Sequence, residues 1–225
     1  MKRRTFAIIF ILAMTLLTSC NKKEIRSDIA EFIASFSVEE AVESYKKTEM
    51  NKTQTVLKDG EKTVTIETIN FDVTDPYNPQ YHRHSDKYVN EVKTESNDQY
   101  IKHEKDAYFV VINDIEYEYD LEKCHELIRQ FFYKNTYLDG TYHADGYYYG
   151  DMVKGSIEDY QNYMTIDEEK QNLTFSHCQN QTQNGIDVRR CSTFIVDALG
   201  MLNYNLATTS AGQNEARTEI NISKK

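Results

Sequence analysis

The dipeptide Asn184-Gly185 constrains this chain more tightly than any other short segment. A two-residue hairpin loop of the favoured kind needs positive φ at both loop positions, which asparagine tolerates and glycine adopts freely. With these residues as the loop, Gln183 faces Ile186, and each step outward pairs one residue from either side. Phe175 then meets Phe194 and Leu173 meets Val196, an apolar face that played no part in choosing the register. Cys178 meets Cys191. Counted from the loop, that pair is of the non-hydrogen-bonded kind, whose Cα atoms approach to about 4.5 Å, a separation a disulfide can span. The register therefore predicts a Cys178–Cys191 bridge, with two unpaired thiols as the alternative. By loop entropy such a closure stabilises by about 3 kcal/mol.

Two more hairpins follow from the same logic. Thr53, Thr55 and Leu57 alternate up to Asp59-Gly60, and Val64 and Ile66 resume beyond it. Centring another on Asn113-Asp114 pairs Ile112 with Ile115, Val110 with Tyr117 and Tyr108 with Tyr119. Helical spacing is clear in three places. Ser27 precedes a face of Ile29, Phe32, Ile33 and Phe36, and Ser37 with Glu40 forms a capping box before Val38, Ala41, Val42 and Tyr45. Asp120 caps a stripe of Leu121, Cys124, Ile128 and Phe131. The Gly- and Tyr-rich stretch from Tyr137 to Gly150 reads as turns and short strands, with a short helix after Ser156. From Asn172 onward strands return, including a long one through Phe194, Val196, Ala198, Leu202 and Tyr204 and a last one through Thr218, Ile220 and Ile222. The expected fold class is α+β, antiparallel hairpins with N-terminal and central helices.

The amino terminus is of another character. Lys2, Arg3 and Arg4 precede an apolar run from Phe6 to Leu17, then Thr18, Ser19 and Cys20. A basic start, a short apolar middle and small residues before a cut site make an export signal, and the run is shorter than the roughly 20 residues a membrane-spanning helix needs. Leu17-Thr18-Ser19-Cys20 resembles the lipobox of bacterial lipoproteins. The resemblance implies that residues 1–19 are a signal peptide and that Cys20 carries a diacylglycerol on its sulfur and a fatty acid such as palmitate on its amine. With only two prolines, Pro76 and Pro79, and no low-complexity linker, 20–26 reads as a lipidated tether and 27–225 as a single domain. An ordinary secreted protein with an incidental cysteine is the alternative. Without residues 1–19 the chain carries 36 acidic against 23 basic side chains, a formal −13. Such a surface repels nucleic acid and anionic headgroups, so attachment to the cell membrane, on its extracytoplasmic face, rests on the acyl chains of Cys20.

Few residues have the spacing of a chemical site. His82, Arg83, His84 and Asp86 follow Pro79 in a polar segment that reads as a solvated loop or strand face. On a strand, His82, His84 and Asp86 would share one side, and a metal-dependent envelope enzyme would have to be built on them. No second ligand cluster accompanies them, and there is no Gly-rich phosphate loop or serine elbow. Neither catalytic residues nor a metal or other cofactor are expected. Cys124 and His125 are helical neighbours that point in different directions, and Cys124 reads as a buried small hydrophobe. The seventeen tyrosines suit half-buried strands, and also a contact surface.

A lipidated terminus, a short tether, leading helices and antiparallel hairpins interrupted by one helix resemble, in element order over most of the mature chain, the LolA/LppX-type lipoprotein carriers. That resemblance implies a curved antiparallel sheet, an unclosed half-barrel packed on the N-terminal and central helices, with an apolar cavity between sheet and helices and a non-catalytic module binding a lipid-like or apolar ligand. A permanently anchored chain resembles the LppX side of the group. A cell-surface interaction or envelope-structural lipoprotein, docking an envelope partner, remains the other reading.

Overall fold

Alternation rather than helical periodicity governs most of the chain in its computed structural model, which describes residues 26–34, 38–105, 107–135 and 161–225. Two short helices come first, α1 (Ser27–Ala34) and α2 (Val38–Ser44). A meander of six strands follows: β1 (Lys47–Lys58), β2 (Glu61–Asp72), β3 (Gln80–Val89), β4 (Val92–Glu104), β5 (Ala107–Ile112) and β6 (Ile115–Tyr119). After helix α3 (Leu121–Asn135) and a turn of 3-10 helix (Gln161–Tyr163) comes a second meander. It contains β7 (Met164–Asp167), β8 (Asn172–Gln183), β9 (Ile186–Asp197), β10 (Leu202–Ala211) and β11 (Asn214–Lys224). All eleven join one sheet in the order β6-β5-β4-β3-β2-β1-β11-β10-β9-β8-β7. The meanders meet because the first strand pairs antiparallel with the last, Met50 facing Ile222 and Lys52 facing Ile220. β6 and β7 end the order, so the sheet is not closed on itself.

The expected α+β class is thereby corrected: the fold is sheet-dominated. Among the described residues the three α-helices are 8, 7 and 15 residues long, against eleven strands in one sheet. Much of the difference lies between Gln80 and Glu104, where a polar segment forms two long strands. They turn at Asn90-Glu91, both with positive φ, 49° and 70°. Neither residue is glycine, so the turn gives no strong signal in the sequence. β3 is a strand because β2 supplies its ladder, Ile69 facing Arg83 and Phe71 facing Tyr81.

Elsewhere local chemistry sets the register. Asn184 and Gly185 take φ of 52° and 78°, and β8 pairs with β9 so that Cys178 faces Cys191 and Phe175 faces Phe194. Asn113 and Asp114 likewise turn β5 into β6, with Ile112 facing Ile115 and Val110 facing Tyr117. Asp120 caps α3 by accepting the Lys123 N–H at 2.7 Å. The single long strand expected from Phe194 to Tyr204 is not formed. The Asp197 carboxylate accepts the N–H groups of Leu199 and Met201, each at 3.0 Å, and Gly200 takes φ of 80°, so the chain folds back and β9 pairs with β10. The capping box at Ser37, the stretch Tyr137–Gly150 and the helix after Ser156 lie outside the described residues.

Two apolar clusters hold the helices to one face of the sheet. Ile128 and Phe131 of α3 pack with Tyr45, Met50, Ile69, Phe71, Ile220 and Ile222, and the Phe131 ring meets Phe71 edge-on at 4.9 Å. On the other meander Ile29 of α1 is fully buried among Met164, Leu173, Phe175, Phe194 and Val196. Arg26 fixes this corner, its Nη1 donating to the carbonyls of Gln161 and Met164 at 3.2 and 3.1 Å. Among the described residues no helix is long and apolar enough to cross a membrane.

Candidate functional site

Residues opposed across a ladder share a face, so the register maps the helix-covered inner face row by row. One row runs Met50, Ile69, Arg83, Gln99, Ile112 and Ile115 from β1 to β6. A neighbouring row holds Thr48, Phe71 and Tyr81, with Ile101, Val110 and Tyr117 continuing the same face. The apolar surface outruns the helices that cover it. Val110 is buried, whereas Ile112, Ile115 and Tyr117 are 38, 58 and 47 % exposed towards the free edge.

A charged group interrupts this surface. Glu67 sits on the inner face of β2 and is only 7 % exposed. Its Oε1 accepts from Arg83 Nε at 2.5 Å, and its Oε2 lies 3.6 Å from Lys52 Nζ. The Arg83 side chain is half exposed. Tyr81, one position along β3 on the same face, is held up at about 12 by burial, with Arg83 lowering and Glu67 raising its phenol. A buried carboxylate is tolerated where cations satisfy it, and here two do.

On the opposite face a groove of about 1010 Å³ opens over β1 to β4, with Lys47, Asn70, Asp72, Gln80, His82, Asp98, Tyr100 and Lys225 among its lining. Its charges are compensated within the groove and at its margin. Lys47 meets Asp72 at 2.7 Å, and Lys225 meets Glu49 and Asn70. His82 Nε2 and His84 Nδ1 both reach Asp98 Oδ1, at 2.7 and 3.1 Å. Burial would raise the Asp98 carboxyl, but the two histidines outweigh it and hold it below its ordinary value. Asp86 shares their face and is taken by Lys93, Ser96 and His84 at 2.6, 2.7 and 3.2 Å. Among the described residues no group of three His, Cys, Asp or Glu is arranged to hold a metal ion.

Cys178 and Cys191 are joined as a disulfide, their Cα atoms 4.0 Å apart. Cys124 is a buried free thiol, pushed up by burial and then by Asp120. Cys20 lies outside the described residues. Sequence spacing brings Arg83 forward only as a member of the histidine segment, whereas its side chain works on the other face. Lys52 and Glu67 carry no sequence signal except parity: Glu67 has that of Ile69 and Phe71, which form the inner face, while Ile66 on the other parity is 45 % exposed.

No family model matches the chain, and no curated protein does. Among solved structures it is similar to LprF from Mycobacterium bovis, at 9 % identity over 89 % of this chain and 94 % of that one, with a TM-score of 0.31. It is also similar to a β-barrel-like protein of a domain of unknown function, DUF1849, from Brucella abortus, at 10 % identity over 80 and 98 % of the two chains and a TM-score of 0.27. A third, from Vibrio parahaemolyticus and named for outer membrane lipoprotein sorting, shares 10 % identity over 87 and 88 % with a TM-score of 0.22. At such low identities and TM-scores none of these likenesses carries any part of the functional conclusion.

Proposed function

We propose that this chain is an extracytoplasmic lipoprotein, anchored in the cell membrane through acyl chains on Cys20, whose domain is a non-catalytic binding module for a lipid-like, apolar ligand. Residues 1–19 are then the signal peptide and 20–26 the tether. The observation that supports the binding reading is the inner face of the sheet: it stays apolar beyond α3, and Ile112, Ile115 and Tyr117 remain in contact with solvent there. Exposed apolar surface of this kind on a soluble domain marks an interaction site. The likeness of element order to the lipoprotein carriers belongs to the same reading. Native mass spectrometry of mature protein extracted in mild detergent should show a non-covalent lipid adduct that Ile112→Asp with Ile115→Asp removes. Protein that carries no adduct and takes none up from added lipid overturns the proposal.

The same residues favour one other reading. Among the described residues β6 is an edge strand, and its outer ladder groups beside Ile115 and Tyr117 suit strand addition by an envelope partner. Crosslinking from position 117 in intact cells then yields a protein adduct instead of lipid.

A further inference from the structure

Arg83 places a positive charge in the middle of an apolar row. Across the strands its neighbours are Ile69 on one side and Gln99, then Ile112, on the other. Glu67 neutralises only one of the two cations it holds, so the cluster of Lys52, Glu67 and Arg83 keeps one positive charge on a mature chain that is formally −13. Arg83 meets Glu67 through Nε, and among the described residues its two Nη nitrogens have no acceptor. Among the described residues Lys52 Nζ makes only the 3.6 Å ion pair. The free edge of a guanidinium presents parallel N–H groups that match two oxygens of a phosphate or carboxylate. Glu67 is the positioning residue: by fixing Nε it leaves the Nη edge free.

A small anion would use only this cluster. The row continues from Arg83 through Gln99 to Ile112 and Ile115, three strand spacings or roughly 14 Å, which suits an anion with hydrocarbon attached. A bilayer held close by a short tether supplies such molecules, each phospholipid head of the glycerol type carrying a single phosphodiester charge. We infer that the inner face takes an anionic phospholipid, with its phosphodiester on Arg83 and Lys52 above Glu67 and an acyl chain along Ile112, Ile115 and Tyr117. This rests on the lipid-binding reading above and adds the headgroup.

The test is native mass spectrometry of the mature, lipidated protein in neutral detergent with equal amounts of phosphatidylglycerol and of diacylglycerol with the same chains. The wild type should take up phosphatidylglycerol in about tenfold preference. Arg83→Gln should bring the ratio near one through loss of phosphatidylglycerol uptake. Lys52→Gln should lower it severalfold and Glu67→Gln should raise it, so the outcome does not hang on one variant folding. Equal uptake of the two lipids by the wild type overturns the headgroup assignment, as does a preference that Arg83→Gln and Lys52→Gln leave intact. Glycerol phosphate competing as well as the whole lipid overturns it in favour of a small anion. Uptake of neither lipid removes the lipid-binding reading as well.

Discussion

Asp197 shows how much one side chain settles in this molecule. Its carboxylate ends β9, holds the next turn through two backbone N–H groups, and accepts at 2.6 Å the hydroxyl of Tyr45, 152 positions earlier in the chain. Burial and this carboxylate together push the Tyr45 phenol far above its ordinary value, so it stays a donor. The Cys178–Cys191 bridge acts through the unfolded chain. Cys178→Ser with Cys191→Ser should lower stability by about 3 kcal/mol, read as a drop in Tm equal to the drop that reductant causes in the wild type. A reductant effect that persists in the double variant would assign it elsewhere. Asp72 gives an acid-side prediction. Burial would raise its carboxyl, but hydrogen bonds from Lys47 and Thr74 outweigh it and hold it at about 2. A depressed carboxyl stabilises the fold fully above its ordinary value and loses that stabilisation as pH falls through the folded value. Asp72→Asn should therefore flatten the decline of Tm between pH 3.8 and about 2; an unchanged acid limb refutes the assignment.

Helix α3 carries the packing between the meanders and the free edge. Phe131 is 5 % exposed and lies against Phe71. Truncating a buried phenylalanine costs about 3–5 kcal/mol, so Phe131→Ala should shift chemical denaturation by that much. An effect below about 1 kcal/mol would mean that α3 is not packed as described. The edge strand β6 is protected from self-pairing by its own alternation. Any antiparallel self-pairing that keeps Ile115 and Tyr117 on the apolar face sets Glu116 and Glu118 opposite one another or themselves, and like charges directly opposed are destabilising. That device leaves the edge open to a different occupant while discouraging a second copy.

The whole sheet depends on its two ends meeting. β1 and β11 are the first and last strands, and each is the neighbour that completes the other's ladder. Loss of the last strand would uncover β1 and β10 together and divide the sheet between the two clusters. On the lipoprotein proposal, membrane contact of this acidic chain comes from acyl chains on Cys20, so Cys20→Ser should abolish labelled fatty-acid incorporation and release the protein from the membrane fraction. A variant that still sediments with membranes and still incorporates label would remove the lipoprotein assignment.

Local chemistry in the sequence was sufficient for the tight turns and what they imply. Asn184-Gly185 and Asn113-Asp114 admit few backbone conformations, and each fixes the partners of every residue beside it, down to Cys178 and Cys191. The cap at Asp120 and the stripe of α3 were legible for the same reason, since both are contacts within a few residues. The rest was decided by neighbours distant in the chain. β3 and β4 are polar and turn without glycine, so only the adjacent β2 makes them strands, and only that pairing brings Glu67 to Arg83 and both of them to Lys52. Pairing partners far apart in sequence leave no periodicity behind, which is why the sheet-dominated class and the charged cluster within its apolar face came from the tertiary structure alone.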